Sequence, residues 1–346
     1  MMQNILFTCA GRRNYLVNYF KKALNGQGNV IAVDEQMHAP ALMDADLSFV
    51  VPSIYDKNYI STLIKIVKEN AVTAIISLND LELPIIADNK GLFERNGAKA
   101  IISCPSIIDT CFDKWETFNF LKKSKFNTPK TYIDLNKAIN DIEDKKLEFP
   151  LVLKPRWGSS SIDINYPESI EELKLTYKLL VINLKKNVSN KSTLEGVEQT
   201  ILIQEKLDGI EYGMDILNDF DGNYYGSFTK EKLIMRSGET DRAKSIINTQ
   251  FEALGKKLSQ ALKHIGNLDC DVFLVKDKPY VLELNPRFGG GYPFSHESGI
   301  NIAAIYIAWL NGHTNLSQYN NYKENIIFSK YDRLIKSIGA EQRFFN

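Results

Sequence analysis

Residues 268–291, LDCDVFLVKDKPYVLELNPRFGGG, constrain the fold more than any other stretch of the chain. Apolar and polar residues alternate on both sides of a short break, the pattern of two half-buried strands. The break, Lys276-Asp277-Lys278-Pro279, has turn composition, so the two strands form a hairpin. Strand side chains alternate with period two, which puts Val281, Glu283 and Asn285 on one face of the second strand. That face presents a carboxylate and an amide oxygen, hard donors suited to magnesium. Asp271, on the first strand, joins it if the register has an odd-length loop; a one-residue slip brings Val272 there instead. Beyond Asn285, the fixed charge of Arg287 can meet a phosphate or a developing oxyanion. An ordinary surface hairpin would also carry solvent-facing charges, but would not account for Asn285-Pro286-Arg287 running into Gly289-Gly290-Gly291.

Upstream, residues 149–155 read as a short buried strand carrying Lys154, followed by the small-residue loop Arg156-Trp157-Gly158-Ser159-Ser160-Ser161. Glycine and serine let backbone amides and hydroxyls close on an anion, and Lys154 adds a mobile cation. Together they make a phosphate cradle, although the order of a Walker loop is missing. Asp113 can cap a helix that opens at Lys114 and runs through residue 121. A lysine in the first turn opposes the helix dipole, which points either to a compensating anion or to a plain exposed lysine. Residues 200–205 read as an apolar strand, Lys206-Leu207-Asp208-Gly209 as a turn, and residues 211–217 as a second strand opened by Glu211. That carboxylate is either a hydrogen-bond acceptor for a ligand or an edge-strand charge.

The first hundred residues alternate strands (4–8, 30–33, 74–77, 98–102) with helices (15–24, 59–70, 81–89). Such alternation predicts a parallel sheet with helices on its faces. The G-x-G-x-x-G spacing is absent after the first strand, which excludes a classical dinucleotide site. Arg12 and Arg13 stand where that loop meets a helix N-terminus, a place that attracts anions or is simply solvated. Asp80 and Glu82 could touch a substrate, but capping of the next helix by Asn79 or Asp80 is the simpler account. The charged run 229–242 reads as a mobile loop facing a cleft. Its Lys232 and Arg236 would bind an acidic acceptor or be solvated. His296 has no nucleophile partner and is read as a packing or substrate-lining residue.

These motifs, in this order, resemble those of the ATP-grasp superfamily. Residues 285–293, NPRFGGGYP, are similar to its carbamoyl-phosphate-synthase-like branch, here with a single module. The resemblance spans about residues 4–310. It implies an α/β and α+β architecture with four parts. A Rossmann-like pre-grasp domain would occupy residues 1–112 and a small lobe with the phosphate loop residues 113–205. A lobe with the metal site would occupy residues 206–312, and a tail packing on the core residues 313–346. It implies ATP and one or two Mg2+ or Mn2+ ions. Lys114, Lys154, Gly158, Ser159 and Ser160 would hold the phosphates, backbone groups of Glu205, Lys206 and Leu207 the adenine edge, and Glu211 the ribose. Asp271, Glu283 and Asn285 would be the metal ligands and Arg287 the catalytic residue. Arg12, Lys232, Arg236 and Gly290 would face the substrates. The implied activity is ADP-forming ligation of a small-molecule carboxylate to an amine, or to a thiol, through an acylphosphate. Two rivals are phosphorylation of bicarbonate or carbamate, and ATP binding without catalysis.

Composition bounds the remaining classes. A chain of 346 residues with 44% hydrophobic content can form two or three lobes. Its 42 basic and 42 acidic residues argue against a nucleic-acid partner. No apolar run is long enough to span a membrane, and the N-terminal stretch does not read as a signal peptide. Four scattered cysteines suggest buried thiols in a reducing cytoplasm. Dimers are common in related enzymes, so a homodimer is a further expectation of the resemblance.

Overall fold

A computed structural model describes residues 2–158, 163–187, 197–336 and 343–344. Three sheets organise it. The first contains β1 (Ile5–Thr8), β2 (Val30–Asp34), β3 (Leu47–Val50), β4 (Ala74–Ser77) and β5 (Lys99–Ala100). The second is small and contains β6 (Thr131–Tyr132), β7 (Leu151–Pro155) and β8 (Ile201–Glu205). The third contains β9 (Ile210–Asn218), β10 (Tyr224–Arg236), β11 (Glu239–Ile246), β12 (Asn267–Val275), β13 (Lys278–Asn285) and β14 (Ile327–Ser329).

The first sheet runs β15-β3-β2-β1-β4-β5, closed at one edge by β15 (Arg343–Phe344), and every pair is parallel. Strands β1, β2 and β4 are buried along their whole length. This is expected where helices cover both faces of a parallel sheet. Separate apolar clusters fill the two sides. The sequence pattern located β1, β2 and β4 but missed β3 and the helices Pro40–Asp44 and Pro105–Phe112, all short. The helix expected from residue 81 begins at Leu83.

The third sheet is antiparallel, in the order β13-β12-β9-β10-β11-β14. Helix Thr249–Leu262 packs its apolar face on it. The charged run 229–242 corrects the sequence reading. It is not a loop but the distal half of β10, a two-residue turn at Ser237-Gly238, and the start of β11. Its lysines alternate with period two and reach partners across the sheet, so a charged strand carried no apolar signature. The small sheet is covered by helices Leu135–Glu143 and Ile170–Asn187. Among the described residues no helix is long and apolar enough to cross a membrane. Of the four cysteines, Cys111 and Cys270 are buried as expected, whereas Cys9 is half-buried and Cys104 exposed.

Candidate active site

A cavity of about 730 Å3 opens between the three sheets. One wall is the hairpin read first in the sequence. Lys276 and Asp277 both adopt positive φ, so the strands are joined by a tight two-residue turn. Asp271 pairs directly with Glu283, and Asp269 with Asn285. A bulge after Asp271 leaves Leu282 without a partner, so Val272 faces Val281. Leu282, Glu283 and Asn285 line the cavity, while Val281 turns into the core with Val272. This corrects the expectation that Val281 shares the face of Glu283. The bulged residue supplies the odd count that brings Asp271 onto the cavity face.

The opposite wall carries the lysines. Asp113 caps helix Lys114–Lys123, accepting from the backbone amides of Trp115 and Glu116 at 2.9 and 3.4 Å. Its carboxylate also takes a bidentate fork from Arg156, Nε to Oδ1 at 2.7 Å and Nη2 to Oδ2 at 2.6 Å. Arg156 was not singled out in the sequence. It ties the end of β7 to the helix start and so sets Lys154 and Lys114 side by side. Lys114 Nζ lies 3.1 Å from Glu283 Oε1 and donates to the Gly158 carbonyl. Burial pushes the Lys154 ammonium down to about 8. Burial alone would raise the Glu283 carboxyl, but Lys114 and Lys154 outweigh it and hold it below its ordinary value. Ser159 and Ser160 lie outside the described residues.

Glu205, Lys206, Leu207 and Glu211 line the same end of the cavity. Glu205 is tied to Lys130 twice, its side-chain Oε2 accepting from the Lys130 amide at 3.0 Å and its own backbone amide donating to the Lys130 carbonyl at 2.8 Å. Lys232 lies between Glu211 and Asp271, at 2.7 and 2.6 Å. It therefore sits among the residues expected to hold nucleotide and metal, not with the acceptor. Arg236 is a second correction. It is more than half exposed, lies outside the cavity lining and is clamped by Asp332 and Asp241 at 2.9 and 3.1 Å.

Arg287 is nearly buried. Its Nη2 donates to Asp80 Oδ2 at 2.6 Å, its Nη1 to the Phe288 carbonyl at 3.1 Å, and Asp269 lies at 3.6 Å. Among the described residues its buried Nε has no hydrogen-bond partner, a position that favours a ligand acceptor. Asp80 is thus a cross-lobe partner of Arg287 and not a helix cap. Asn79 Oδ1 instead accepts from the Leu81 amide at 2.9 Å. Unlike Asn79 and Asp80, Glu82 does not line the cavity. It is buried and accepts from Thr8, Ser77 and Tyr59 at 2.7, 2.5 and 2.5 Å, which anchors the ends of β1 and β4. Two residues below Asp271, Asp269 shares its face by the same period of two, a signal the sequence reading passed over. Burial, then the neighbouring Asp271, raise its carboxyl to about 6. His296 stacks on Tyr19 with ring centroids 3.5 Å apart, a packing role.

The donor set can be tested against a hard divalent cation. Asp271, Glu283 and the Asn285 amide offer oxygen ligands on one pleated patch, with Asp269 adjacent. Among the described residues no three His, Cys, Asp or Glu side chains close on one point. The set therefore suits a magnesium-type ion that takes one or two carboxylates and completes its shell with phosphate and water. In this arrangement Lys114 and Lys232 rest against two of those carboxylates, which marks where positive charge is wanted.

The matches to known proteins agree with this geometry. Residues 111–291 match the model of the ATP-grasp domain, and residues 5–101 match the PylC-like N-terminal domain. The chain belongs to the ATP-grasp family. It is 24% identical over 276 residues to the carbamoyl phosphate synthase large chain of Buchnera aphidicola, covering 72% of this chain and 24% of that one. It is 28% identical over 187 residues to the coenzyme gamma-F420-2:alpha-L-glutamate ligase of Methanocaldococcus jannaschii, covering 51% and 58%. The chain thus spans about a quarter of the first relative's length and under two thirds of the second's. Among solved structures, the biotin carboxylase domain of Hydrogenobacter thermophilus 2-oxoglutarate carboxylase, in complex with MgADP, ADP and bicarbonate, superposes with TM-score 0.71 at 15% identity. That match covers 94% of this chain and 73% of that one. An L-amino acid ligase from Bacillus licheniformis gives 0.69 at 19%, covering 93% and 78%. At such identities these structures speak to the fold alone, and they agree with a mixed α/β ATP-grasp architecture.

Proposed function

We propose that this chain is an ATP-dependent ligase that joins a small-molecule carboxylate to an amine through an acylphosphate, releasing ADP and phosphate. The observation that carries the reading is the convergence in one cavity of Lys114 and Lys154, the Asp271–Glu283–Asn285 patch, and Arg287. In this reading residues 1–112 supply acceptor loops, and the parts divided near residues 205 and 312 close on the nucleotide.

The chemical problem is to bring polyanions together, so positioning and charge neutralisation carry the catalysis. Lys114 and Lys154 bind the phosphate chain. Glu211 accepts from the ribose hydroxyls, which requires Lys232 to share it. When bound by Asp271, Glu283 and Asn285, magnesium or manganese supplies charge neutralisation between the phosphates. A substrate carboxylate oxygen bonds to the γ-phosphorus while the bond to the β,γ-bridging oxygen breaks, and ADP leaves with that electron pair. The amine nitrogen then bonds to the acyl carbon, phosphate departs with its electron pair, and a proton is released. Arg287, held by Asp80, faces the transferring phosphoryl group and the oxyanion of the tetrahedral intermediate.

An ADP-release assay across panels of carboxylates and amines tests the reading. Turnover that requires one member of each panel supports it. Turnover with bicarbonate and ammonia alone favours the carbamoyl-phosphate chemistry instead. ATP binding with no turnover on any pair favours a binding protein. Sedimentation of the purified chain tests the expected homodimer.

A further inference from the structure

At the end of the cavity beyond Arg287, two opposite charges from different parts of the chain approach each other without meeting. Arg13 precedes helix Asn14–Leu24 but does not cap it with its side chain. Its Nη1 donates to the Tyr15 hydroxyl at 2.8 Å, and that hydroxyl donates to the Gly289 carbonyl at 3.3 Å. Neutral groups therefore fix the guanidinium. Among the described residues Arg13 makes no ion pair with a carboxylate. Glu239 enters from the opposite wall at the start of β11, where its Oε2 accepts from Lys330 Nζ at 3.3 Å.

Gly290 lies between them. A Cβ at that position would come within 3.2 Å of Arg13 Nη1, 3.5 Å of Glu239 Cδ and 3.6 Å of Glu239 Oε1. The absence of a side chain keeps the gap open, and Oε1 is the carboxylate oxygen that faces it. Both groups stay ionised near neutrality: partial burial would raise the Glu239 carboxyl, but Lys330 and Arg13 outweigh it and hold it low. Lys330 holds the Oε2 side of Glu239, so among the described residues the Arg13 guanidinium and Glu239 Oε1 are the charged atoms left to a ligand that carries the complementary pair. A guanidinium nitrogen and a carboxylate oxygen flank the gap, so the ligand is polar at this end.

We propose that this gap recognises one of the two substrates as an α-amino acid, its carboxylate on Arg13 and its ammonium on Glu239 Oε1. The inference rests on the ligase reading above and adds a substrate class to it. Arg13 and Glu239 select the substrate; no bond-making step is assigned to them.

The test is calorimetry on the full chain. Mg-ADP is titrated first, and its failure to bind removes the ligase reading together with this inference. With Mg-ADP present, the twenty proteinogenic amino acids are compared with their decarboxylated amines and deaminated acids. At least one amino acid is expected to bind about tenfold or more tightly than either of its truncated counterparts, the effect of one charged hydrogen-bonding partner. Arg13→Ala is expected to erase the margin over the amine, and Glu239→Gln the margin over the acid. Arg13→Lys, which keeps the charge, is expected to restore part of the first. Binding of Mg-ADP by a chain that takes no amino acid, or takes the truncated compounds equally well, overturns the inference and leaves the ligase reading standing. So does wild-type amino-acid affinity in both Arg13→Ala and Glu239→Gln.

Discussion

At the proposed nucleotide end of the cavity the charged side chains stand mostly on strands and meet opposite charges: Lys114 with Glu283, and Lys232 with Glu211 and Asp271. At the proposed acceptor end they come from loops and strand ends, and among the described residues the Arg13 side chain donates to a phenol and meets no carboxylate. The difference teaches how each end can work. A paired network is preorganised but must exchange lysine contacts for phosphate and metal when ligands enter. An unpaired guanidinium is already set to receive an anion and needs no exchange. Arg287 lies at the boundary, held by Asp80 from one side and near Asp269 on the other.

The sharpest test of the paired end is Glu283→Gln, which removes the charge of a proposed metal ligand from the cavity wall. Turnover is expected to fall by about a thousandfold or more, with the thermal midpoint little changed. Normal ADP release from this variant would break the comparison. Next in size is Arg287→Ala, expected to lower kcat by about a hundredfold while the affinity for ATP moves far less. A loss confined to ATP binding would place Arg287 with the nucleotide.

Protonation of Lys154 gives a test by pH. Burial has lowered its ammonium to about 8, whereas phosphate binding favours the charged form. Binding then takes up a proton, so ATP affinity weakens as pH rises through 8, by up to about tenfold per unit. Titrations in buffers of different ionisation enthalpy reveal the uptake, and Lys154→Met is expected to flatten the profile. Asp80→Asn is expected to cost roughly tenfold in kcat by loosening Arg287. The smallest effect is Arg236→Ala. Because Arg236 faces Asp332 and Asp241 outside the cavity, KM values are expected to shift by less than about twofold.

What could be read from the sequence follows the same division. Glu283, Asn285 and Asp271 were legible because they lie on strands, where a period of two fixes the face. The bulge at Leu282 was not, since nothing in the residue pattern marks which position is extra, and it moved Val281 to the core. Asp269 was available by the same period and was overlooked. The strand at residues 229–236 was hidden because Lys230 is buried by Asp215 at 2.7 Å and not by apolar neighbours. A charged residue that is buried through its partner looks, in sequence, like one that is solvated. The acceptor end was the least legible. Arg13, Glu239 and Gly290 are far apart in the chain, and only the packing of the first sheet against the third brings them together.

Calorimetric titration of the purified chain with Mg-ATP tests the central claim most directly. One site per chain is expected, with binding weakened but still measurable in Lys154→Met and in Glu283→Gln. A chain that takes up no Mg-ATP, or variants that bind it as the wild type does, would contradict the account.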